Sequence, residues 1–155
     1  MESTPNNNKE LICYPVAFKL LKPDNIRIMP TRIDGGMYYL KAPYRISQDT
    51  RGMRTISMGI EIKIPECFEV FTNKPGVTIP MVLHAHIDSL YDVLVDKGIE
   101  IVAPRILSPS YTQTELKLTI RNIGQHVANI ERGEPIACLY FTATPPIIFG
   151  ENNNI

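Results

Sequence analysis

Between Thr55 and Ile64 the chain reads TISMGIEIKI, with Ile56, Met58, Ile60, Ile62 and Ile64 at every second position and Ser57, Gly59, Glu61 and Lys63 between them. Side chains of a strand return to the same face with a period of two. The stretch therefore predicts a strand with one apolar and one polar side. ELKLTIR repeats the pattern, with Leu116, Leu118 and Ile120 set against Glu115, Lys117, Thr119 and Arg121. Further strand candidates are Leu11–Tyr14, Ile26–Met29, Met37–Leu40, Phe68–Thr72, Val77–His86, Ile99–Ala103, Val127–Ile130 and Ile136–Phe141. Thirteen prolines and nine glycines fall between these runs, and Asn73-Lys-Pro-Gly76 predicts a turn joining two of them. Only Ile87–Lys97 predicts a short helix, with Asp88 as N-cap and Tyr91, Leu94 and Val95 on one side. Roughly ten short strands with a turn signal every 8–12 residues predict an all-β sandwich or barrel.

A chain of 155 residues has room for one domain with a core of its own. That domain is expected over residues 9–149, between polar, Asn-rich tails at 1–8 and 150–155 that have nothing to bury. Sixteen basic residues balance sixteen acidic ones, which argues against a nucleic-acid partner held by long-range attraction. No apolar run approaches the ~20 residues that span a bilayer, so no membrane is expected, and MESTPNNNKE lacks the charged and apolar regions of a signal peptide. Cys13, Cys67 and Cys138 are far apart and odd in number, each in an apolar run. That usage argues against a disulfide framework or zinc site and for a reducing compartment, cytoplasm or nucleus.

Several residues could carry chemistry. His84 and His86 share a strand face with Asp88, the spacing of a three-ligand metal site, yet no fourth ligand is near. A half-exposed sheet face explains them as well, and no metal is expected. Ser108 and Ser110 stand in a hairpin tip, SPSY, where a nucleophile would need a base that the neighbouring residues do not supply; turn chemistry accounts for them. Tyr38, Tyr39 and Tyr44 could form a stacking platform, or could be strand tyrosines. The terminal Asn-Asn-Asn-Ile155 could offer its carboxylate to a peptide-capture groove, but its composition is that of a plain tail.

The order of these segments resembles the trimeric dUTPases over Gly35 to Phe141. GGMYYLKAP (Gly35–Pro43) with IKIPE (Ile62–Glu66) resembles that family's first motif and the strand after it. The hairpin through Tyr111 and ELKLTIRN resembles the family's third. Gly133-Glu-Pro-Ile-Ala-Cys-Leu139 resembles its fourth. The resemblance implies a dUTPase-like distorted jelly roll and a homotrimer. It also implies a nucleotide pocket, of which Tyr39, Ser108 and Tyr111 would be the residue. The departures are concentrated in the chemistry. The family's water-activating Asp falls on Ser108, which cannot accept a proton near neutral pH, and the Asp of the first motif falls on Tyr39. Tyr111 keeps the family's sugar-stacking Tyr. The phosphate motif survives only as a distorted TNKPG (Thr72–Gly76) or, shifted, as DSLYD (Asp88–Asp92). After Phe141, TATPPIIFGENNNI has one Gly and no Arg or Lys where the closing arm would stand.

The favoured expectation is thus a catalytically inactive dUTPase-derived protein, similar to the adenoviral early-region products. It would act by binding a host-cell protein, without a cofactor. The second is a module that sequesters a nucleotide in the residual pocket. The third is an active pyrophosphatase with relocated acids such as Asp88 or Asp92, which alone would call for Mg²⁺. The stretch Phe68–Lys97 is longer than its counterpart in the family and rich in apolar side chains. Leu90, Tyr91 and Leu94 are therefore the expected partner interface, against the alternative that they complete the core. Pro146–Phe149, PIIF, is the segment expected to pack on a neighbouring subunit.

Overall fold

The computed structural model describes residues 16–22, 25–33, 36–65, 68–102, 105–107 and 115–145, without the side chains of Phe68, Val70, Phe71 and Arg105. Twelve strands are described in chain order. They are β1 (Ala17–Leu20), β2 (Thr31–Ile33), β3 (Met37–Lys41), β4 (Ile46–Gln48), β5 (Met53–Lys63), β6 (Phe68–Phe71) and β7 (Thr78–Ser89), then β8 (Ile99–Ile101), β9 (Arg105–Leu107), β10 (Glu115–Asn122), β11 (Ala128–Ile130) and β12 (Pro135–Thr144). One short helix, α1 (Tyr91–Lys97), lies between β7 and β8. Among the described residues no helix is long and apolar enough to cross a membrane. The expected Leu11–Tyr14 strand and the 1–8 and 150–155 tails lie outside the described residues.

The two alternating stretches form the centre of one layer. β5 and β10 pair antiparallel, flanked by β1 and β8. Ile56, Met58, Ile60, Ile62 and Ile64 from the first, with Leu116, Leu118 and Ile120 from the second, are all buried. The register shifts between Glu115 and Lys117. Opposite this shift Gly59 takes φ +69°, a left-handed conformation that costs a side chain dearly, and its N–H donates to Glu115 Oε1 at 3.0 Å. The second layer runs β2-β3-β12-β7-β6, with β9 also pairing to β7. It contributes Leu40, Ala85, Ile87, Leu107, Ala137 and Leu139 to the same core. A small β4–β11 sheet adds Ile46 and Ile130. The fold is the expected all-β sandwich.

Two expectations are corrected. Ile26–Met29 is not a strand: Ile26–Ile28 form a single 3-10 turn. Only Ile28 is buried there, so an apolar run this short is satisfied by one inward residue. Asp88 does not cap the helix. β12 pairs residue for residue through Cys138↔Asp88 and Ala137↔Ser89, which keeps Asp88 in the ladder. The N-cap is instead Leu90, without a side-chain hydrogen bond. The turn at Asn73–Gly76 stands as read, with Gly76 at φ +73° and the Val77 N–H donating to the Lys74 carbonyl at 3.2 Å.

Asn122, at the end of β10, is 0% exposed. Its Nδ2 donates to the carbonyls of Gln48 at 2.9 Å and His126 at 2.8 Å, and its Oδ1 accepts from the Gly124 N–H at 2.9 Å. Its backbone closes the 49–52 turn, donating to the Gly52 carbonyl and accepting from the Arg51 N–H. Removing this amide leaves three main-chain groups without their partner, the Gln48 carbonyl among them buried. We expect Asn122→Ala to lower unfolding free energy by about 3 kcal/mol, read from urea melts as a lower midpoint at unchanged slope. Asn122→Asp, which loses both N–H donors, should not rescue it.

Candidate functional site

β7 carries twelve residues past three different neighbours before the chain turns into α1. At that junction the Ser89 N–H donates to Asp88 Oδ1 at 2.7 Å, and Ser89 Oγ accepts the Ile101 N–H at 2.8 Å. Asp92 follows in the first helical turn, where a carboxylate suits the free N–H groups. The helix ends at Gly98, φ +70°. A side chain at Gly98 would sit 2.7 Å from the Gly124 nitrogen. Of the two places where a phosphate motif was sought, TNKPG is the tip of the β6–β7 hairpin and DSLYD is this junction, at opposite ends of β7. The junction presents two carboxylates, Asp88 and Asp92. The helix's own cation, Lys97, is held by the Asn129 carbonyl at 2.7 Å and Glu134 at 3.1 Å.

Register places Tyr39 opposite Cys138 and Cys138 opposite Asp88, so the three stand in one row across β3, β12 and β7. Ser108, Ser110 and Tyr111 lie outside the described residues, as does Ile155. The Cys138 thiol is buried and lies 3.6 Å from the carbonyls of Asp88 and Ser89. Burial pushes its pKa up, and the nearby Asp88 charge adds to the rise. Tyr38 and Tyr39 face opposite sides of β3. Tyr38 packs between Phe18 and Phe141, with ring centroids at 5.5 and 6.0 Å. A three-tyrosine platform with Tyr44 is therefore ruled out by strand alternation.

His84 and His86 do share a face, as their spacing requires. Each is engaged by a threonine of β12, His84 Nε2 with Thr144 Oγ1 at 3.2 Å and His86 Nε2 with Thr142 Oγ1 at 2.5 Å. The His86 ring also stacks on Tyr140, 4.8 Å between centroids and 7° from parallel. Among the described residues no three His, Cys, Asp or Glu side chains come together as a metal site.

The helix shows its surface to solvent in an unusual way. No residue of α1 is buried; Val93 packs against the core, while Tyr91 and Val95, one turn apart, are 75% and 61% exposed. Leu90 and Leu94 are half-buried. Beside the helix, Leu94–Gly98 and Ile123–Asn129 line an open cleft, to which Ile123 (53% exposed) and Val127 (51%) add apolar surface. Sequence reading missed these two. Val127 was expected inside a strand, but pairing begins only at Ala128.

The geometry makes Cys138 inert. In a variant with Cys13 and Cys67 replaced by serine, we expect Cys138 to react with a disulfide reagent at pH 8 at least about tenfold slower folded than in urea. Because the folded chain keeps this proton to higher pH than the unfolded chain, the group makes stability fall as pH rises beyond the ordinary thiol range. Equal rates in the two states would show an accessible thiol.

No protein-family model matches the chain, and no curated protein sequence does. Solved structures do match. The dUTPase of Staphylococcus bacteriophage 80alpha superposes with a TM-score of 0.67 at 16% identity, over 92% of this chain and 100% of that one. The EIAV dUTPase gives 0.61 at 18%, over 90% and 99%. The Streptococcus mutans dUTPase gives 0.61 at 15%, over 86% and 98%. At these identities the likeness is one of fold, and the fold of this chain is dUTPase-like.

Proposed function

We propose that this protein is a dUTPase-fold pseudoenzyme of the kind virus genomes encode, assembled as a homotrimer, that acts in the cytoplasm or nucleus by binding another protein. The observation that carries the reading is the β7–α1 junction. At DSLYD, one of the two places where a phosphate-binding motif could stand, the chain sets Asp88 and Asp92, whose charge opposes a triphosphate, and directly beside them turns Tyr91 and Val95 out to solvent. Exposed aromatic and apolar side chains rimmed by charge are the material of interfaces. The same junction weighs against hydrolysis by relocated acids, since one oxygen of Asp88 accepts its own neighbour's N–H and Asp92 stabilises the helix start. Among the similar structures, phage dUTPases are described as controlling the transfer of virulence genes by a G protein-like mechanism. This supports the idea that the fold can serve regulation as well as hydrolysis.

The test is pyrophosphate release from a panel of deoxynucleoside triphosphates with Mg²⁺, run beside thermal shift with the same compounds. We expect no dUTP turnover above background, and none restored by Ser108→Asp. Stabilisation without turnover would select nucleotide sequestration instead, because a ligand that favours the folded state raises its stability by mass action. Turnover abolished by Asp88→Asn would establish an enzyme.

For assembly, we expect light scattering to give three times the 17.5 kDa chain mass, with the trimer weakened by removal of residues 145–155. A monomer mass across the micromolar range refutes the trimer.

A further inference from the structure

We infer that the cleft between α1 and the 123–129 segment is a docking groove for a basic amphipathic helix of a partner protein. The inference rests on the protein-binding reading above and names the partner's chemistry. A surface helix ordinarily turns its apolar stripe inward; here Val93 and Lys97 face the body of the protein while Tyr91 and Val95 point away from it. Leu94 and Val95 on one wall and Ile123 and Val127 on the other put apolar side chains on both sides of the cleft, between polar ones such as Asp96 and Gln125. Gly98 and Gly124 hold the walls together at its closed end, where the Ile123 N–H donates to the Gly98 carbonyl at 2.8 Å. The groove is built from residues that the core does not need, and its shape is fixed by the hydrogen bonds of Asn122.

The kind of occupant follows from what the walls offer. An added strand would need free main-chain groups. The one strand in the wall, β11, has its Asn129 carbonyl already occupied by Lys97. An apolar helical face needs only side chains, and anchors spaced i, i+3 or i+4 suit a cleft with Leu94 and Val95 on one wall and Ile123 and Val127 on the other. The sign of the partner follows from charge. Asp92 and Asp96 are exposed on the helix flank, and neither is ion-paired among the described residues, whereas Lys97 is neutralised by Glu134. The cleft wall therefore carries Asp96, with Asp92 one turn away on the same helix, and complementary charge on a partner is basic.

The experiment selects helix-forming peptides from a displayed library on the full-length protein and counter-selects on Val95→Asp/Val127→Asp, two exposed positions whose change leaves the fold intact. Binding of the selected peptides is then measured by fluorescence anisotropy. We expect an apolar i, i+3/i+4 pattern with an excess of Lys and Arg. The affinity should fall at least about tenfold on the Val95/Val127 variant and about fivefold on Asp92→Asn/Asp96→Asn. Surface-dependent peptides without a basic excess, or indifferent to the Asp→Asn pair, overturn the basic-helix assignment while the protein-binding reading stands. If no selected peptide is sensitive to Val95→Asp/Val127→Asp, both the groove and the reading of this surface as an interface fail. A lower oligomeric mass of the Val95/Val127 variant assigns the surface to a second copy of this chain and likewise overturns the inference.

Discussion

Asn122 is the point at which the separate parts of the molecule are made to agree. A carboxamide has two donors and an acceptor on one rigid plane, and here they reach the end of β4, the loop before β11 and Gly124 together, in a site closed to water. Its own backbone fastens the turn that launches β5. Buried polar groups are costly unless satisfied, and once satisfied they admit one arrangement only, which apolar packing by itself does not specify. The two longest-range decisions of the fold, where β5 starts and where α1 must stop, are settled within a few ångströms of this side chain.

From that point the architecture follows from strand pairing. β12 lies between β3 and β7 and pairs with both, so its register fixes which residues share a face across three strands. It aligns Tyr39, Cys138 and Asp88 in one row, keeps Tyr38 on the core side, and brings His84 and His86 within hydrogen-bond reach of Thr144 and Thr142. The local preference of Asp88 for a cap is overridden by the same ladder, since each strand residue added there satisfies main-chain groups that a cap would leave open. The result is a scaffold of dUTPase type whose strand-to-helix junction is acidic and whose Cys138 is shielded.

The helix that leaves this junction buries no residue fully and is tied at its C-terminal end. Gly98 takes the left-handed conformation that closes a helix, and Lys97 reaches across to Asn129 and Glu134. With those restraints in place, Tyr91 and Val95 are free to face outward without loosening the fold. A surface that costs the core nothing can change without loosening the fold.

Much of this molecule was written in its order of residues. The period of two in TISMGIEIKI and ELKLTIR specified two strands and the inward side of each, because alternation is a property of the extended chain itself; the turn at Lys74–Val77 was equally local, set by Pro75 and Gly76. The short strands β1, β2, β4 and β9 were illegible, since three or four residues without a longer apolar run around them carry too little periodic signal and depend on a partner strand. The 3-10 turn at Ile26–Ile28 was misread for the same reason. The exposure of Ile123 and Val127 could not be read, because a sequence shows that a residue is apolar and not whether another layer covers it. Composition, alternation and turn chemistry determined that the chain is a β-sandwich. Only tertiary contact decided which apolar side chains remained in water, because burial depends on what arrives from elsewhere in the chain.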